Sequence, residues 1–148
     1  MNAAEKYDVL VLGSGTAGKL MAWTMTKEGR KTAVIERKYI GGSCPNIACL
    51  PSKNVIYSAK VATLVARHQE FGIETGPIAI DMAGVYARKR QMVEGIVRVH
   101  LDKYRAALDK DRGDELILGD GTFTAPRTIH VALRDGGERT LSADRVFI

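Results

Sequence analysis

The chain has 148 residues, of which 45% are hydrophobic and 26% are charged, and these values are typical of one soluble globular domain. It contains no apolar run long enough to cross a bilayer and no secretory signal, so we expect a cytoplasmic protein without a membrane partner. The net charge of +5 is modest, and acidic residues lie among the basic ones between Arg88 and Arg112. That mixture favours a solvated helix face over a nucleic-acid-binding surface.

The first third of the sequence predicts a βαβ unit. Tyr7–Leu12 is a nearly continuous apolar run of the kind found in buried parallel strands. A glycine-rich turn follows directly, then a predicted helix over Ala17–Lys27 and a second buried strand over Lys31–Glu36. Strand, turn, helix and strand within about thirty residues predict a right-handed crossover and a parallel sheet.

Two long helices are predicted after the second strand. The first has a helical apolar pattern from Pro51 to about Gln69. The second runs from Asp81, which can cap it, to about Asp109. The glycine- and proline-containing segment Phe71–Ile80 is expected to connect the two helices.

Short strands are predicted for the last part of the chain, beyond Gly113. They are expected at Glu115–Leu118, Thr128–Leu133 and Glu138–Ser142. The last two would form a hairpin around Asp135-Gly136-Gly137. Arg145–Ile148 predicts the start of another buried strand, in which the sequence stops, so we expect the chain to be a fragment of a longer protein.

The turn Gly13-x-Gly15-x-x-Gly18 has the spacing of a dinucleotide-binding loop. Gly13 allows a sharp turn, Gly15 lets backbone amides approach a pyrophosphate, and Gly18 lets the helix pack closely on the strand. Glu36, at the end of the second predicted strand, can bind ribose hydroxyls and disfavours a 2′-phosphate. The turn therefore predicts FAD or NAD rather than NADP, with a purely structural turn as the alternative.

Cys44 and Cys49 are the only cysteines and lie five residues apart. Two small buried apolar residues would be the ordinary interpretation of an isolated pair. A zinc site would need further ligands, and the three histidines, His68, His100 and His130, lack ligand spacing. Close to a dinucleotide turn, a redox-active dithiol is the leading interpretation, and it predicts electron transfer.

The spacing of the cysteines limits how they could bond. Five residues of regular helix advance about 7.5 Å, beyond the roughly 4.4–6.8 Å usual between disulfide-bonded Cα atoms. If the two bond, the segment around Pro45–Ala48 must therefore depart from a regular helix. Pro51 suits the first turn of the following helix, which leaves Cys49 near its positive end, where a thiolate is favoured. Lys53, four residues after Cys49, could share its face.

Residues 41–53 resemble the signature Gly-Gly-[Thr/Ser]-Cys-x-Asn-x-Gly-Cys-x-Pro-[Ser/Thr]-Lys of the class I pyridine nucleotide–disulfide oxidoreductases, which include dihydrolipoamide dehydrogenase, glutathione reductase and mercuric reductase. Ala48 stands where this family usually has glycine, and Pro45 replaces an aliphatic residue. The resemblance covers the whole chain and implies an α/β fold. The implied fold is a Rossmann-like FAD-binding domain, in which a parallel sheet with a βαβ unit carries a helical excursion and a small antiparallel β-meander.

The same resemblance implies the domain organisation. Residues 1–148 would be the N-terminal part of the FAD-binding domain, cut before its completion. The nicotinamide-binding and dimer-interface domains of the family would be absent from this chain. The fragment alone is therefore expected to be inactive as a reductase.

The resemblance also implies roles for individual residues. Electrons would pass between NADH or NADPH, FAD and a Cys44–Cys49 disulfide, with Cys44 meeting the substrate and Cys49 contacting the flavin. Ser43 would lie near the phosphates, Lys53 near the reactive nitrogen of the flavin, and Gly121 near the adenine. The implied cofactor contacts are Gly13, Ser14, Gly15, Thr16, Ala17, Gly18, Glu36, Arg37, Gly42, Ser43, Lys53 and Gly121.

The implied substrate is a small-molecule or protein disulfide or dithiol, or a metal ion if the protein is similar to mercuric reductase. The full-length protein is expected to be a homodimer. A different class of function stays open, in which the chain is a non-catalytic flavin-binding or redox-sensing fragment.

Overall fold

The structure is a computed structural model that describes residues 3–148. Over this range the chain forms five strands and four α-helices, with a short 3-10 helix at His68–Phe71. The strands are β1 (Glu5–Leu12), β2 (Thr32–Glu36), β3 (Glu115–Ala125), β4 (Thr128–Leu133) and β5 (Glu138–Phe147). The helices are α1 (Thr16–Lys27), α2 (Ser43–Asn46), α3 (Cys49–Ala66) and α4 (Met82–Ala107).

The five strands form one closed sheet in the order β1-β2-β3-β4-β5, with β5 returning to β1. β1 pairs in parallel with β2 and with β5, and β2 pairs in parallel with β3. β4 runs antiparallel to both β3 and β5 and closes the ring. The predicted α/β class, with a parallel sheet, a βαβ unit and an antiparallel meander, is therefore confirmed.

Two apolar clusters cover the two sides of the strands. The cluster inside the ring contains Tyr7, Leu10, Ala33, Ile35, Ile117, Ile129, Val131 and Leu141. The cluster on the outer side, where α1 and α4 pack, contains Val9, Val11, Ala22, Met25, Val34, Ile40, Tyr104 and Leu108. Because β1 and β2 are buried on both faces, their sequences are almost continuously apolar instead of alternating. Because both faces are buried, the ends of β1 and β2 are held in place. The candidate site is built from the segments that follow these ends.

β3 continues to Ala125, seven residues beyond the predicted end at Leu118. Gly119 and Gly121, which lie beyond that predicted end, belong to the ladder opposite β4. A Cβ atom at Gly119 would lie 2.6 Å from the carbonyl oxygen of Ala132, so glycine is required there by the closeness of the backbones. The glycines therefore allow close packing within the strand.

The prediction of another strand starting at Arg145 is wrong. Residues 138–147 form the single strand β5. Ala143 and Arg145 pair with Tyr7 and Val9 of β1, so the ladder continues through residues 143 and 144, which separated the two predicted strands. Hydrogen bonding to β1 outweighs the weak apolar pattern of this segment.

The helices lie close to their predicted ranges. α1 begins one residue before the predicted start, and α3 begins at Cys49, two residues before Pro51. α3 ends at Ala66, and the 3-10 helix covers the rest of the predicted range. Asp81 occupies the position before α4, but its side chain makes no capping hydrogen bond.

An ion-pair cluster joins the beginnings of three strands. The Arg139 guanidinium donates to Glu5 at 2.6 and 2.9 Å and to Glu115 at 2.7 and 2.9 Å. The Tyr7 hydroxyl also donates to Glu115. Burial alone would raise the pKa of Glu115, but the hydrogen bonds from Arg139 and Tyr7 outweigh it and hold the pKa below its usual range. The hydrogen bond from Arg139 likewise lowers the pKa of Glu5. The cluster thus binds two ionised carboxylates.

We expect Glu115→Gln to make the chain less stable at neutral pH, by about 1 kcal/mol after allowance for partial solvent exposure. A carboxylate whose pKa is lowered by folding stabilises the protein above its unfolded pKa, near 4.3, and this contribution is lost as the pH falls. The variant should therefore lose less stability than the wild type between about pH 5 and pH 3. Urea unfolding at several pH values measures this, with exposed Glu74→Gln as the control. Equal pH dependence in Glu115→Gln and the wild type would contradict the assignment.

Candidate dinucleotide and dithiol site

The glycine turn connects the end of β1 to the start of α1. Gly13 has a φ of 100°, which lies in the region that favours glycine, and its N–H donates to the Ile35 carbonyl at 2.8 Å. A Cβ atom at Gly18 would lie 2.1 Å from the Gly13 carbonyl oxygen and 3.2 Å from Val11. The turn is therefore sharp, and α1 packs directly against β1, as a dinucleotide turn requires.

The N-terminus of α1 presents free backbone donors beside this turn. Gly15 occupies the cap position without a side-chain cap, and Lys19 N–H makes the first intrahelical bond to it, at 2.8 Å. Thr16 and Ala17, in the first turn, are exposed. The amides of such a turn lack intrahelical acceptors and carry the positive end of the helix dipole. This arrangement fits a phosphate group.

Glu36 is buried at the end of β2 and bonded within the chain. One oxygen accepts hydrogen bonds from the N–H groups of Lys38 and Tyr39, at 2.7 and 2.9 Å. The other accepts from the N–H and the hydroxyl of Ser14, at 2.9 and 2.5 Å. Burial would raise the pKa of Glu36, but these hydrogen bonds outweigh it and lower the pKa. The ionised carboxylate therefore ties the glycine turn to the segment after β2.

The segment of residues 40–46, called the cysteine loop here, lies beside the glycine turn. Gly41 and Gly42 have φ values of 87° and 82°, and a Cβ atom at Gly42 would lie 2.8 Å from the Cα of Gly15. The Asn46 side chain donates to the carbonyls of Ile40 and Gly42, at 3.0 and 2.7 Å, and closes the loop. The two sequence motifs thus lie in direct backbone contact.

The two cysteines lie on either side of a helix break. Cys44 belongs to the single turn α2, Ile47 and Ala48 are not helical, and Cys49 is the first residue of α3. Ala48 has a φ of −115°, outside the region reserved for glycine, so its methyl group is accommodated. Pro45 is buried within α2. The break therefore gives the departure from regular helix that a bond between the cysteines would need.

Both cysteines are free thiols, with Cys44 half-buried and Cys49 exposed. A hydrogen bond between the two thiols raises the pKa of Cys44, and burial adds to this effect. The positive charge of Lys53 acts in the opposite direction. The two thiols and Lys53 therefore lie close enough to influence the pKa of Cys44.

The remaining predicted residues occupy different surroundings. Ser43 is exposed at the start of α2, and Lys53 is exposed one turn into α3. Arg37 is exposed, and its carbonyl accepts a hydrogen bond from Arg134 at 3.0 Å. Gly121 lies in β3, where a Cβ atom would be 2.7 Å from Leu12, so packing inside the ring already requires glycine there.

Two residues of α4 contact the site, and the sequence analysis did not identify them. The Tyr104 hydroxyl donates to the Ser14 carbonyl at 3.0 Å, and the side chain is fully buried. The ring of His100 lies against Gly41, about 3 Å from where a Cβ atom would be. Burial, together with Lys19 and Lys103, lowers the pKa of His100. Neither residue belongs to a motif, and only the packing of α4 over the turn could have identified them.

Neither a metal-binding cluster nor a membrane-spanning helix occurs in the described part of the chain. Among residues 3–148, no group of three or more histidine, cysteine or acidic side chains could hold a metal ion. None of the described helices is long and apolar enough to cross a membrane.

The pyridine nucleotide-disulphide oxidoreductase family model matches residues 7–148. The chain is 35% identical over 144 residues to dihydrolipoyl dehydrogenase of Mycobacterium tuberculosis, covering 96% of this chain and 30% of that protein. It is 35% identical over 141 residues to dihydrolipoyl dehydrogenase of Bacillus subtilis, covering 93% and 30%. The chain thus spans about three tenths of the length of these curated relatives.

A solved structure resembles the whole chain. It is a Cu(II) complex of the HOCl-induced flavoprotein disulfide reductase RclA from Escherichia coli, with a TM-score of 0.75 and 25% sequence identity. The match covers 100% of this chain and 28% of that protein. The fold described above is therefore that of the corresponding part of a flavoprotein disulfide reductase.

The contact between Gly18 and Gly13 can be tested by adding one methyl group. Gly18→Ala should destabilise the chain by about 1–3 kcal/mol because the methyl group would overlap the Gly13 carbonyl. Gly95→Ala is the matched control, since Gly95 lies in α4 with open space around it. That change should be neutral or stabilising by up to about 1 kcal/mol. Thermal unfolding followed by circular dichroism measures both, and equal effects would show that α1 does not pack on the turn as described.

Proposed function

We propose, from the premise that the chain belongs to the pyridine nucleotide-disulphide oxidoreductase family, that it forms the N-terminal part of the FAD-binding domain of a dithiol–disulfide oxidoreductase. Members of this family are FAD- and NAD(P)H-dependent flavoproteins that act on disulfides. The observation that carries the proposal is the direct backbone contact between Gly15 of the glycine turn and Gly42 of the cysteine loop. That contact brings an anion-binding helix terminus and a pair of thiols to one edge of the sheet.

The residues of the turn fit a dinucleotide. The free amides at the start of α1, from Thr16 to Gly18, would hold the pyrophosphate, and the absence of side chains at Gly15 and Gly42 leaves backbone there for it to approach. When bound, FAD supplies the two-electron chemistry. The protein's contribution is to orient the group and to fix the charges around it.

Glu36 remains the proposed partner of the adenosine ribose, under one condition. Its two oxygens already accept four hydrogen bonds, which is about the capacity of a carboxylate. A ribose hydroxyl would therefore replace one of the present donors. The Ser14 hydroxyl can give way, because the Tyr39 carbonyl lies 3.3 Å from it as a second acceptor.

Cys44 and Cys49 are proposed to be the redox pair. Oxidation of the two thiols to a disulfide releases two electrons and two protons, and reduction of the disulfide takes them up again. Exchange with a substrate disulfide proceeds by attack of a thiolate and passes through a mixed disulfide. Cys44 is proposed to meet the substrate, and Cys49, at the positive end of α3, to lie next to the flavin with Lys53.

The substrate, the oligomeric state and the cellular location are also proposals. A disulfide or dithiol substrate, a homodimeric full-length protein and a cytoplasmic location follow from the family resemblance. Exposed apolar side chains along α3 are compatible with a subunit contact; they include Ile56, Tyr57, Val61 and Leu64. A metal ion is the second candidate substrate, because the similar Escherichia coli enzyme was solved as a Cu(II) complex.

The cofactor is tested by the visible absorption of the chain after incubation with FAD and desalting. We expect flavin bands near one equivalent per chain if residues 3–148 already form the site. Gly18→Ala, which should displace the start of α1, is expected to lose most of the flavin, whereas the control Gly95→Ala should retain it. A colourless wild-type protein would contradict FAD binding by this chain.

The roles of the two thiols are tested by exchanging each for serine in the FAD-loaded, reduced chain. A thiolate beside oxidised flavin gives a long-wavelength absorbance band. Cys49→Ser should abolish this band, and Cys44→Ser should keep it, because only Cys49 is proposed to contact the flavin. The opposite result would reverse the two assignments, and an equal band in both variants would remove the dithiol from the flavin site.

A further inference from the structure

The Ser14 side chain connects the glycine turn to the cysteine loop. It is 0% exposed and lies between Gly13 and Gly15, where the dinucleotide pattern leaves the residue type open. Its hydroxyl donates to Glu36 at 2.5 Å and accepts the N–H of Gly41 at 3.0 Å. A single oxygen thus joins the turn, the end of β2 and the loop that leads to Cys44.

Other contacts also hold the cysteine loop at this point, among them the backbone contact of Gly42 with Gly15 and the ring of His100 against Gly41. Gly41 lies three residues before Cys44, and its positive φ is one that few other residues adopt. Asn46 closes the loop from the other side, through the carbonyls of Ile40 and Gly42. The Gly41 N–H would lose the acceptor that it has in the structure if the Ser14 hydroxyl were removed, and a buried donor without a partner is unfavourable.

We propose that the Ser14 hydroxyl is a positioning group, which holds the cysteine loop against the dinucleotide turn and so sets the reactivity of Cys44. The proposal deepens the proposed function, on which the redox use of the pair rests. Ser14 acts through Gly41 and does not itself take part in thiol exchange. The link requires a hydroxyl, because the same oxygen must both donate to a carboxylate and accept from an amide.

The consequence for the thiols follows from their mutual contact. The groups that move the pKa of Cys44 are Cys49, which raises it through the thiol–thiol hydrogen bond, and Lys53, which lowers it. Cys49 and Lys53 lie on α3, while Cys44 lies in α2, on the other side of the helix break at Ile47 and Ala48. Releasing Gly41 lets the loop shift relative to α3, which weakens the thiol–thiol hydrogen bond and lowers the pKa of Cys44. More thiolate is then present near neutral pH.

The test is the pH profile of Cys44 alkylation by iodoacetamide in the reduced, flavin-free chain. Fragment-ion mass spectrometry separates the modification of Cys44 from that of Cys49. Ser14→Ala should move the profile to lower pH and raise the rate at pH 8 by at least about threefold. Ser14→Thr, which keeps a hydroxyl, should restore the wild-type profile if it folds.

Tyr104→Phe is the matched control. It also removes one buried hydrogen bond from Ser14, at the carbonyl, but leaves the Gly41 link intact. A merely structural role would move the profile equally in Tyr104→Phe and Ser14→Ala, whereas a positioning role moves it only in Ser14→Ala. A Ser14→Ala profile that coincides with that of the wild type or with that of Tyr104→Phe overturns the proposal.

A second measurement covers the case in which Ser14→Ala does not fold. In the wild-type chain, the Gly41 amide should exchange its hydrogen much more slowly than an exposed amide such as that of Gly76. Exchange at the same rate would overturn the link. Both assays are free of flavin, so failure of the chain to retain FAD would contradict the proposed function and leave the Ser14 link to be judged separately.

Discussion

The carboxylate of Glu36 lies at the end of β2 with only 7% of the residue exposed, and four hydrogen bonds replace the water that an ionised group would otherwise hold. A buried carboxylate without such donors would be strongly unfavourable. The donors belong to the glycine turn, through Ser14, and to the segment after β2, through Lys38 and Tyr39. Neither segment can move away without leaving a charge uncompensated, so this one group fixes where the turn and the start of the cysteine loop lie relative to each other.

The parallel sheet explains why these segments can meet at all. β1 and β2 are neighbours that run in the same direction, so the segments that follow them emerge at the same edge. The turn follows β1, and the loop with Gly41 and Gly42 follows β2. Their backbones approach so closely that a Cβ atom at Gly42 would overlap Gly15. Glycine at Gly42 is thus a requirement of the site's geometry, beyond any contact with a ligand. A Cβ atom at Gly15 would make only an ordinary contact, 3.9 Å from the Cα of Gly42.

Local patterns in the sequence predicted most of the elements around the site. β1, α1 and β2 have strong signals, because a buried parallel strand and a glycine turn leave clear traces in a sequence. The start of α3 at Cys49 was also close to the prediction, since Pro51 marks a first helical turn. These elements depend on short-range preferences, which the sequence displays directly.

The features that the sequence did not predict depend on partners distant in the chain. β3 extends through Gly119 and Gly121 because β4 and the ring interior leave no space for side chains there. β5 continues through Arg145 because β1 supplies hydrogen bonds along its length. Tyr104 reaches Ser14 across ninety positions of sequence. In each case tertiary contacts outweighed the local pattern, and no pattern of spacing records such contacts.

The helix break between the cysteines has a chemical consequence that supports the proposed assignment of their roles. An unbroken helix would separate the two Cα atoms by about 7.5 Å along its axis, whereas the break at Ile47 and Ala48 allows the thiols to share a hydrogen bond. The contact with Cys49 raises the pKa of Cys44. Cys49, the other thiol of the pair, lies at the N-terminus of α3 and one turn from Lys53. This placement suits Cys49 as the proposed neighbour of an electron-poor ring, and the raised pKa suits Cys44 as the proposed thiol that is activated when substrate arrives.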